Sequence, residues 1–250
     1  MKKIMLLFLC CFSLSTSCHE LSKRISSAKP SIVAIAILNP TASPRLSLIG
    51  TGFAVGDGHQ IATNAHVIAK LLDESKNERY VVLSGQGANP KIHFVLKQKV
   101  DAKYDLAVLQ INDRIEPLTL AADEYQPEGS ELLFTGYPIT EVLGLYPASN
   151  KAMISAVTPV VIPANHASDL SPQVLRQLQQ PFLIYQLDGT AYPGNSGSPV
   201  YSVVDGTVVA VINMVYVKQT KESVLSNPSG ISYAIPSRHL RALLARPFEG

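Results

Sequence analysis

The feature that most constrains this chain is its run of short apolar segments, none long enough for a substantial helix and each closed off by Gly, Pro, Asn or Asp. Ser31 to Leu38, Leu46 to Val55, Gln60 to Thr63, Tyr80 to Leu83, Ile92 to Leu96 and Leu106 to Ile111 read as one group of strands, with Asp57-Gly58 as a hairpin turn. Glu131 to Tyr137, Ala152 to Val157, Val160 to Ile162, Phe182 to Leu187, Pro199 to Val204, Val208 to Tyr216 and Ile231 to Ile235 form a second group, with Asp205-Gly206 as another turn. Ile115 to Ser130, rich in acid and proline, separates the groups. Val67 to Leu72 is expected to make a helical turn or two, Ser171 to Gln180 a short helix, and Ser237 to cap a last helix through Leu243. The pattern predicts an all-β chain of two packed antiparallel β-barrels, each of about six strands, with a C-terminal helix. The first barrel spans about 30–120, the second about 128–236 and the helix 237–245.

The amino terminus reads differently. Met1-Lys2-Lys3 is basic, Ile4 to Phe12 is apolar and Ser13 to Ser17 is small and polar, which is the build of a secretory signal peptide over 1–18. All three cysteines, Cys10, Cys11 and Cys18, fall in or beside it, so residues 19–250 contain no internal disulfide. Cys18 is a candidate lipid-carrying first residue, although Leu14-Ser15-Thr16-Ser17 matches a lipobox only loosely. The destination read from this segment is extracytoplasmic, either anchored or soluble. With Lys2 and Lys3 set aside, the basic residues equal the 19 acidic ones, and there is no long cationic run. Such a balance argues against nucleic acid as a partner. No His/Cys or His/Glu cluster has ligand spacing, so no metal or other cofactor is expected.

The chemistry concentrates in Asp188 to Val200, D-G-T-A-Y-P-G-N-S-G-S-P-V, a tight loop between two apolar strands. Pro193 presets one backbone angle, Gly194 and Gly197 admit conformations that a Cβ forbids, and Asn195 tolerates the left-handed region. A loop of this kind can turn several N–H groups toward one point around Ser196, as acyl transfer requires. Taken alone, it also describes an ordinary hairpin with a surface serine.

Two other stretches decide between these readings. His66, in T-N-A-H-V, stands at the end of an apolar strand, a rigid place for a proton-transfer group. His19, His59, His93, His166 and His239 read as solvated or capping histidines in loops or polar faces. Asp105 directly precedes the strand Leu106 to Ile111, so its carboxylate is drawn inward and needs a partner, which His66 would supply. Asp101 is the rival carboxylate. Of the unrelated folds that carry a Ser-His-Asp triad, the double β-barrel type has the chain order His, Asp, Ser found here.

Five ordered motifs sharpen this. G-T-G-F at 50–53, T-N-A-H-V at 63–67, D-L-A-V-L at 105–109, G-N-S-G at 194–197 and I-S-Y-A-I-P-S at 231–237 resemble the trypsin-like (chymotrypsin-fold) peptidase domain of HtrA/Deg-type bacterial serine proteases, over roughly residues 30–245. The resemblance implies a secreted or periplasmic serine endopeptidase working through His66, Asp105 and Ser196, with an oxyanion hole from the N–H groups around Gly194, Asn195 and Ser196. It places Thr190 at the base of the specificity pocket and Asn213 and Met214 along its wall. An uncharged base implies cleavage after small or medium apolar residues. The implied partners are protein or peptide substrates, often unfolded chains, and relatives commonly assemble as homo-oligomers.

The sequence departs from the family in three respects. It ends soon after the terminal helix, without the PDZ domains of many members; Ser198 stands where Gly is usual; and the stretch Pro159 to Pro181 is long. Asn195 replaces the Asp that receives a freed N-terminus in digestive relatives, so no such zymogen step is expected. Two other readings stay open: an inactive or latent binding or chaperone module on the same fold, and a non-peptidase esterase.

Overall fold

The computed structural model describes residues 20–138, 144–160, 181–213 and 230–248. Six strands make the first closed barrel: β1 (Ile32–Leu38), β2 (Leu46–Val55), β3 (Gln60–Asn64), β4 (Arg79–Ser84), β5 (Lys91–Asp101) and β6 (Leu106–Ile111), hydrogen-bonded in the order β1-β2-β3-β6-β5-β4. The second is β7 (Glu131–Gly136), β8 (Ala148–Pro159), β9 (Leu183–Asp188), β10 (Pro199–Ser202), β11 (Val208–Asn213) and β12 (Ile231–Pro236), in the order β10-β11-β12-β9-β8-β7. All the ladders between these strands are antiparallel. A helix over 20–28, α1, precedes the first barrel, and α2 (Ser237–Leu244) follows the second.

Strand alternation sorts neighbouring residues into different cores. Along β1, Val33, Ile35 and Ile37 enter the interior of the first barrel, where Ala107, Leu109 and Ile111 of β6 join them. Ile32, Ala34 and Ala36 of β1, with Leu106 and Val108 of β6, face the other way, toward Leu133, Tyr201, Val211 and Ile235 of the second barrel. Strands buried on both faces must be apolar throughout, hence the unbroken run Ile32–Leu38. Phe134, Ile154, Tyr185, Leu187 and Ile212 fill the second interior.

Helix α2 lies across both barrels, touching β5 and β6 of one and β11 and β12 of the other, with Leu240 and Leu243 buried. Its C-terminal carbonyls receive a cation from the first barrel: Lys99 Nζ donates to Leu244 O at 3.0 Å and Arg246 O at 2.6 Å. Burial, and then the nearby Arg246, hold the Lys99 ammonium below its ordinary pKa.

Several boundaries differ from the sequence reading. β8 begins at Ala148, four residues before the apolar signal, because the polar Ser149, Asn150 and Lys151 pair with β7 without showing an apolar period. It ends at Pro159, so Val160 belongs to no strand, and 161–162 lie outside the described residues, as do Ser171 to Gln180 and the signal segment. β5 continues to Asp101 rather than stopping at Leu96, and β10 stops at Ser202. The helical turn after β3 is only His66–Ile68. Ser237 is not a cap: it is the first helical residue and makes no capping bond, since the chain enters α2 directly from the extended Pro236.

Two histidines expected to be solvated are packed. His93 points into the first barrel, 4% exposed, with Ser84 Oγ 2.7 Å from Nε2 and Asp113 Oδ2 2.7 Å from Nδ1. That hydrogen bond, followed by the one from Lys91, keeps the Asp113 carboxyl below its usual pKa. His239, on α2, stacks on Tyr104 with ring centroids 3.9 Å apart and meets the edge of Phe182 at 5.4 Å. Its buried Nε2 has no partner among the described residues, and desolvation pushes its pKa from 6.5 down to about 4.

A depressed histidine pKa means that the unfolded chain binds the proton first as pH falls. Stability tied to His239 is therefore intact above pH 6.5 and is lost progressively down to about pH 4. The ring is only part-buried, so solvent screening keeps the amount below the roughly 3 kcal/mol that the full shift would give. Denaturant titrations at pH 7 and pH 4 should show His239→Phe losing less stability over this interval than the wild type. Equal losses would mean that His239 protonates freely in the folded state.

Candidate functional site

The end of β3 and the start of β6 are adjacent in the sheet, with Asn64 opposite Leu106, and this brings two remote segments together. Asp105 bridges them from a left-handed backbone, φ 51°, which Asp tolerates better than most residues. From there its carbonyl accepts Ala65 N–H at 3.1 Å and Asn64 Nδ2 at 3.1 Å. Its carboxylate accepts His66 N–H at 2.8 Å on Oδ1, and on Oδ2 both His66 Nδ1 at 2.6 Å and Asn213 Nδ2 at 2.6 Å. An ionised carboxylate only accepts, so Nδ1 carries the proton and Nε2 is left as a base. Ser196 Oγ lies 2.8 Å from that Nε2. His66 and Asp105 come from the first barrel, Ser196 and Asn213 from the second.

The loop around Ser196 is two consecutive turns sharing Asn195. In the first, Asn195 N–H donates to Tyr192 O at 2.9 Å, with Pro193 second and Gly194 third at φ 99°. In the next, Ser198 N–H donates to Asn195 O at 2.9 Å, with Ser196 second and Gly197 third at φ 85°. A positive φ at the third residue is the requirement of a type II turn, and both third positions are glycine. The main-chain N–H groups of Gly194 and Ser196 have no acceptor among the described residues, whereas that of Asn195 is committed to Tyr192. Of the three residues expected to supply oxyanion donors, Asn195 thus has its N–H engaged, while those of Gly194 and Ser196 are without an acceptor among the described residues.

The rival carboxylate, Asp101, lies opposite Leu106 across the β5–β6 ladder but is engaged by other groups. Its Oδ2 is ion-paired with Arg246 at 2.7 Å, and its Oδ1 accepts the Lys103 and Tyr104 N–H groups. Thr190 is half-buried between Gly189 and Ala191, and both neighbours are held by the buried Ser232: Ser232 Oγ donates to Gly189 O at 2.5 Å and accepts Ala191 N–H at 2.8 Å. Asn213, expected along the pocket wall, instead points its amide at Asp105. Met214 lies outside the described residues.

Sequence reasoning missed the contributions of Asn213, Ser232 and Gly136 to this region. A Cβ on Gly136 would overlap Ser198 Oγ, so the unusual serine fits only because its neighbour has no side chain. No local signal marks such pairs, which lie far apart along the chain.

Residues 50–211 match the family model described as a trypsin-like peptidase domain. Similar curated proteins include a probable periplasmic serine endoprotease, DegP-like, of Halomonas elongata, 29% identical over 189 residues, covering 75% of this chain and 32% of that protein. Another is serine protease HTRA1A of Danio rerio, 27% identical over 203 residues, covering 80% of this chain and 35% of that one. The chain thus spans about a third of the length of these relatives. Among solved structures, the active form of the Rv3671c protease of M. tuberculosis superposes with a TM-score of 0.64 at 21% identity, covering 89% of this chain and 82% of that one. An HtrA-type protease with a bound tripeptide gives 0.64 at 20% identity, covering 90% and 62%. These structures share the double-barrel fold.

A side chain at position 197 would be strained at φ 85° and would overlap Thr51 O and Thr63 Oγ1. Gly197→Ala should cost about 3–5 kcal/mol of stability, combining overpacking with backbone strain. A thermal melt unchanged from wild type would contradict this.

Proposed function

The chain belongs to the trypsin-like peptidase domain family, and from that premise we propose that it is an extracytoplasmic serine endopeptidase that hydrolyses peptide bonds through an acyl-enzyme on Ser196. The observation that carries this reading is the continuous hydrogen-bond chain from Asn213 through Asp105 and His66 to Ser196, beside two uncommitted N–H groups.

In the proposed reaction, Ser196 Oγ attacks the scissile carbonyl carbon while its proton passes to His66 Nε2. The carbonyl π electrons move onto oxygen, and the N–H groups of Gly194 and Ser196 stabilise the resulting oxyanion; a donor of this kind is typically worth about 3 kcal/mol in the transition state. Asp105 stabilises the imidazolium, and Asn213 keeps the Asp105 carboxylate oriented from the opposite barrel. The imidazolium then protonates the leaving amine nitrogen as the C–N bond breaks. Water, deprotonated by His66 Nε2, adds to the ester carbonyl, and the C–Oγ bond breaks as His66 returns the proton to Ser196 Oγ, releasing the acid.

Thr190, uncharged and set between backbone groups pinned by Ser232, supports a preference for small or medium apolar residues before the cut, since it offers Lys or Arg no counter-ion. The signal-like first residues and the relative named as periplasmic support an extracytoplasmic location, with unfolded or exposed chains as substrates and Cys18 as a candidate anchor.

The purified wild type should be labelled by a fluorophosphonate and should degrade unfolded casein. Ser196→Ala should abolish labelling and lower turnover by about 10⁴-fold or more. A folded wild type that does neither would favour the latent binding module, and one that cleaves esters but not peptides would favour the esterase. Sequencing the casein fragments should show cuts after Ala, Val or similar residues; cuts mainly after Lys or Arg would overturn the specificity assignment.

A further inference from the structure

The nucleophile loop belongs to the second barrel, yet two of its carbonyls are held by a residue of the first. Thr51, at the centre of β2, is fully buried and uses every polar atom. Its N–H donates to Ser196 O at 2.8 Å, and its carbonyl accepts Thr63 Oγ1 at 2.7 Å. Its hydroxyl accepts Tyr137 N–H at 2.9 Å, so its own proton is free to go to Gly194 O, 2.7 Å away.

The peptide planes of the loop then alternate in an ordered way. The plane containing Gly194 C=O and Asn195 N–H is fixed at both ends, by the Thr51 hydroxyl and by Tyr192 O. The plane containing Ser196 C=O and Gly197 N–H is likewise fixed at both ends, by Thr51 N–H and by Ile212 O at 3.1 Å. Between and before them lie the two planes whose N–H groups, those of Gly194 and Ser196, have no acceptor among the described residues. Glycine rotates readily, and a loop with glycine at 194 and 197 holds one arrangement only if something outside it does the holding.

We propose that the Thr51 side-chain hydroxyl is a positioning group for the oxyanion donors: by pinning the Gly194 carbonyl it sets the N–H groups of Gly194 and Ser196 for catalysis. The inference deepens the serine endopeptidase reading and rests on it for its catalytic consequence. The structural part, that the hydroxyl orders the loop, stands without it. Because Tyr137 N–H meets the same oxygen, the stretch that follows β7 is tied to the nucleophile loop through this one atom.

The test compares Thr51→Val, which keeps the shape but removes the donor and acceptor, with Thr51→Ser, which keeps the hydroxyl. Amide hydrogen exchange is read at Asn195 and Ser198 against the amides of β11, and fluorophosphonate labelling is read as a second-order rate. Thr51→Val should raise exchange at Asn195 by about tenfold relative to β11 and slow labelling by about 10- to 100-fold, while Thr51→Ser keeps both close to wild type. Wild-type exchange and labelling in Thr51→Val would overturn the proposal, and so would equal losses in Thr51→Ser, which would mean that packing alone matters. Should Thr51→Val fail to fold, Thr51→Cys, close in size but a weak donor, should show the same two changes in milder form. A wild type that is never labelled would defeat the peptidase reading, and the exchange comparison would still decide what the hydroxyl does.

Discussion

A carboxylate taken out of water must be met by donors, and here the donors come from two barrels. Asp105 is the constraint on which the rest of the structure depends: two of the groups on its carboxylate belong to His66 on its own barrel, and one, Asn213 Nδ2, reaches across from the other. Removing either barrel would leave that charge short of a partner. The same carboxylate dictates the imidazole tautomer, because an acceptor at Nδ1 forces the proton there and leaves the base at Nε2. Inter-barrel packing and proton placement are thus one requirement stated at two scales. The apolar interface of Ala34, Val108, Tyr201 and Val211 supplies the association, and the polar contact at its edge supplies the register.

The second junction between barrels has a different character. Around Thr51 no charge is involved, only backbone groups and hydroxyls, and the gain is in order rather than in binding. Gly197 is packed so tightly against Thr51 and Thr63 that no Cβ fits, which converts a flexible residue into a fixed one. Ser198, fully buried, is seated against Gly136 in the same region. Close approach of backbones is what glycine allows in both places.

How far this was legible follows from the range of each interaction. Strand alternation acts over neighbouring residues, so the strands of both barrels could be read from apolar runs, and the double barrel followed. The proposed triad could be picked out because each member carries a local sign: a strand end before His66, a buried strand after Asp105, a glycine-rich turn around Ser196. The resemblance implied a place for Asn213 along the pocket wall; nothing local to it says which atom it meets 108 residues away. β8 was read short, since its first residues obtain their order from pairing with β7 and leave no apolar period behind.

The distinction between a catalytic constellation and its imitation lies outside the residue types altogether. Within the first barrel, Ser84, His93 and Asp113 repeat the linkage of serine to imidazole to carboxylate, with both hydrogen bonds at 2.7 Å. The corresponding distances at Ser196, His66 and Asp105 are 2.8 and 2.6 Å, so hydrogen-bond length does not tell them apart. What differs is access and the state of the neighbouring N–H groups. The side chain of His93 is 3% exposed and faces the barrel interior, whereas that of His66 is 30% exposed. Ser84 lies within β4, paired to Lys91 of the next strand, while Ser196 occupies a turn flanked by uncommitted amides. A carbonyl could approach the second serine and find donors waiting; at the first it would meet a filled barrel. The Ser84 group is therefore read as a polar plug that satisfies a buried histidine, and it is the Ser196 group that is proposed to react, on grounds that neither distance nor residue identity supplies.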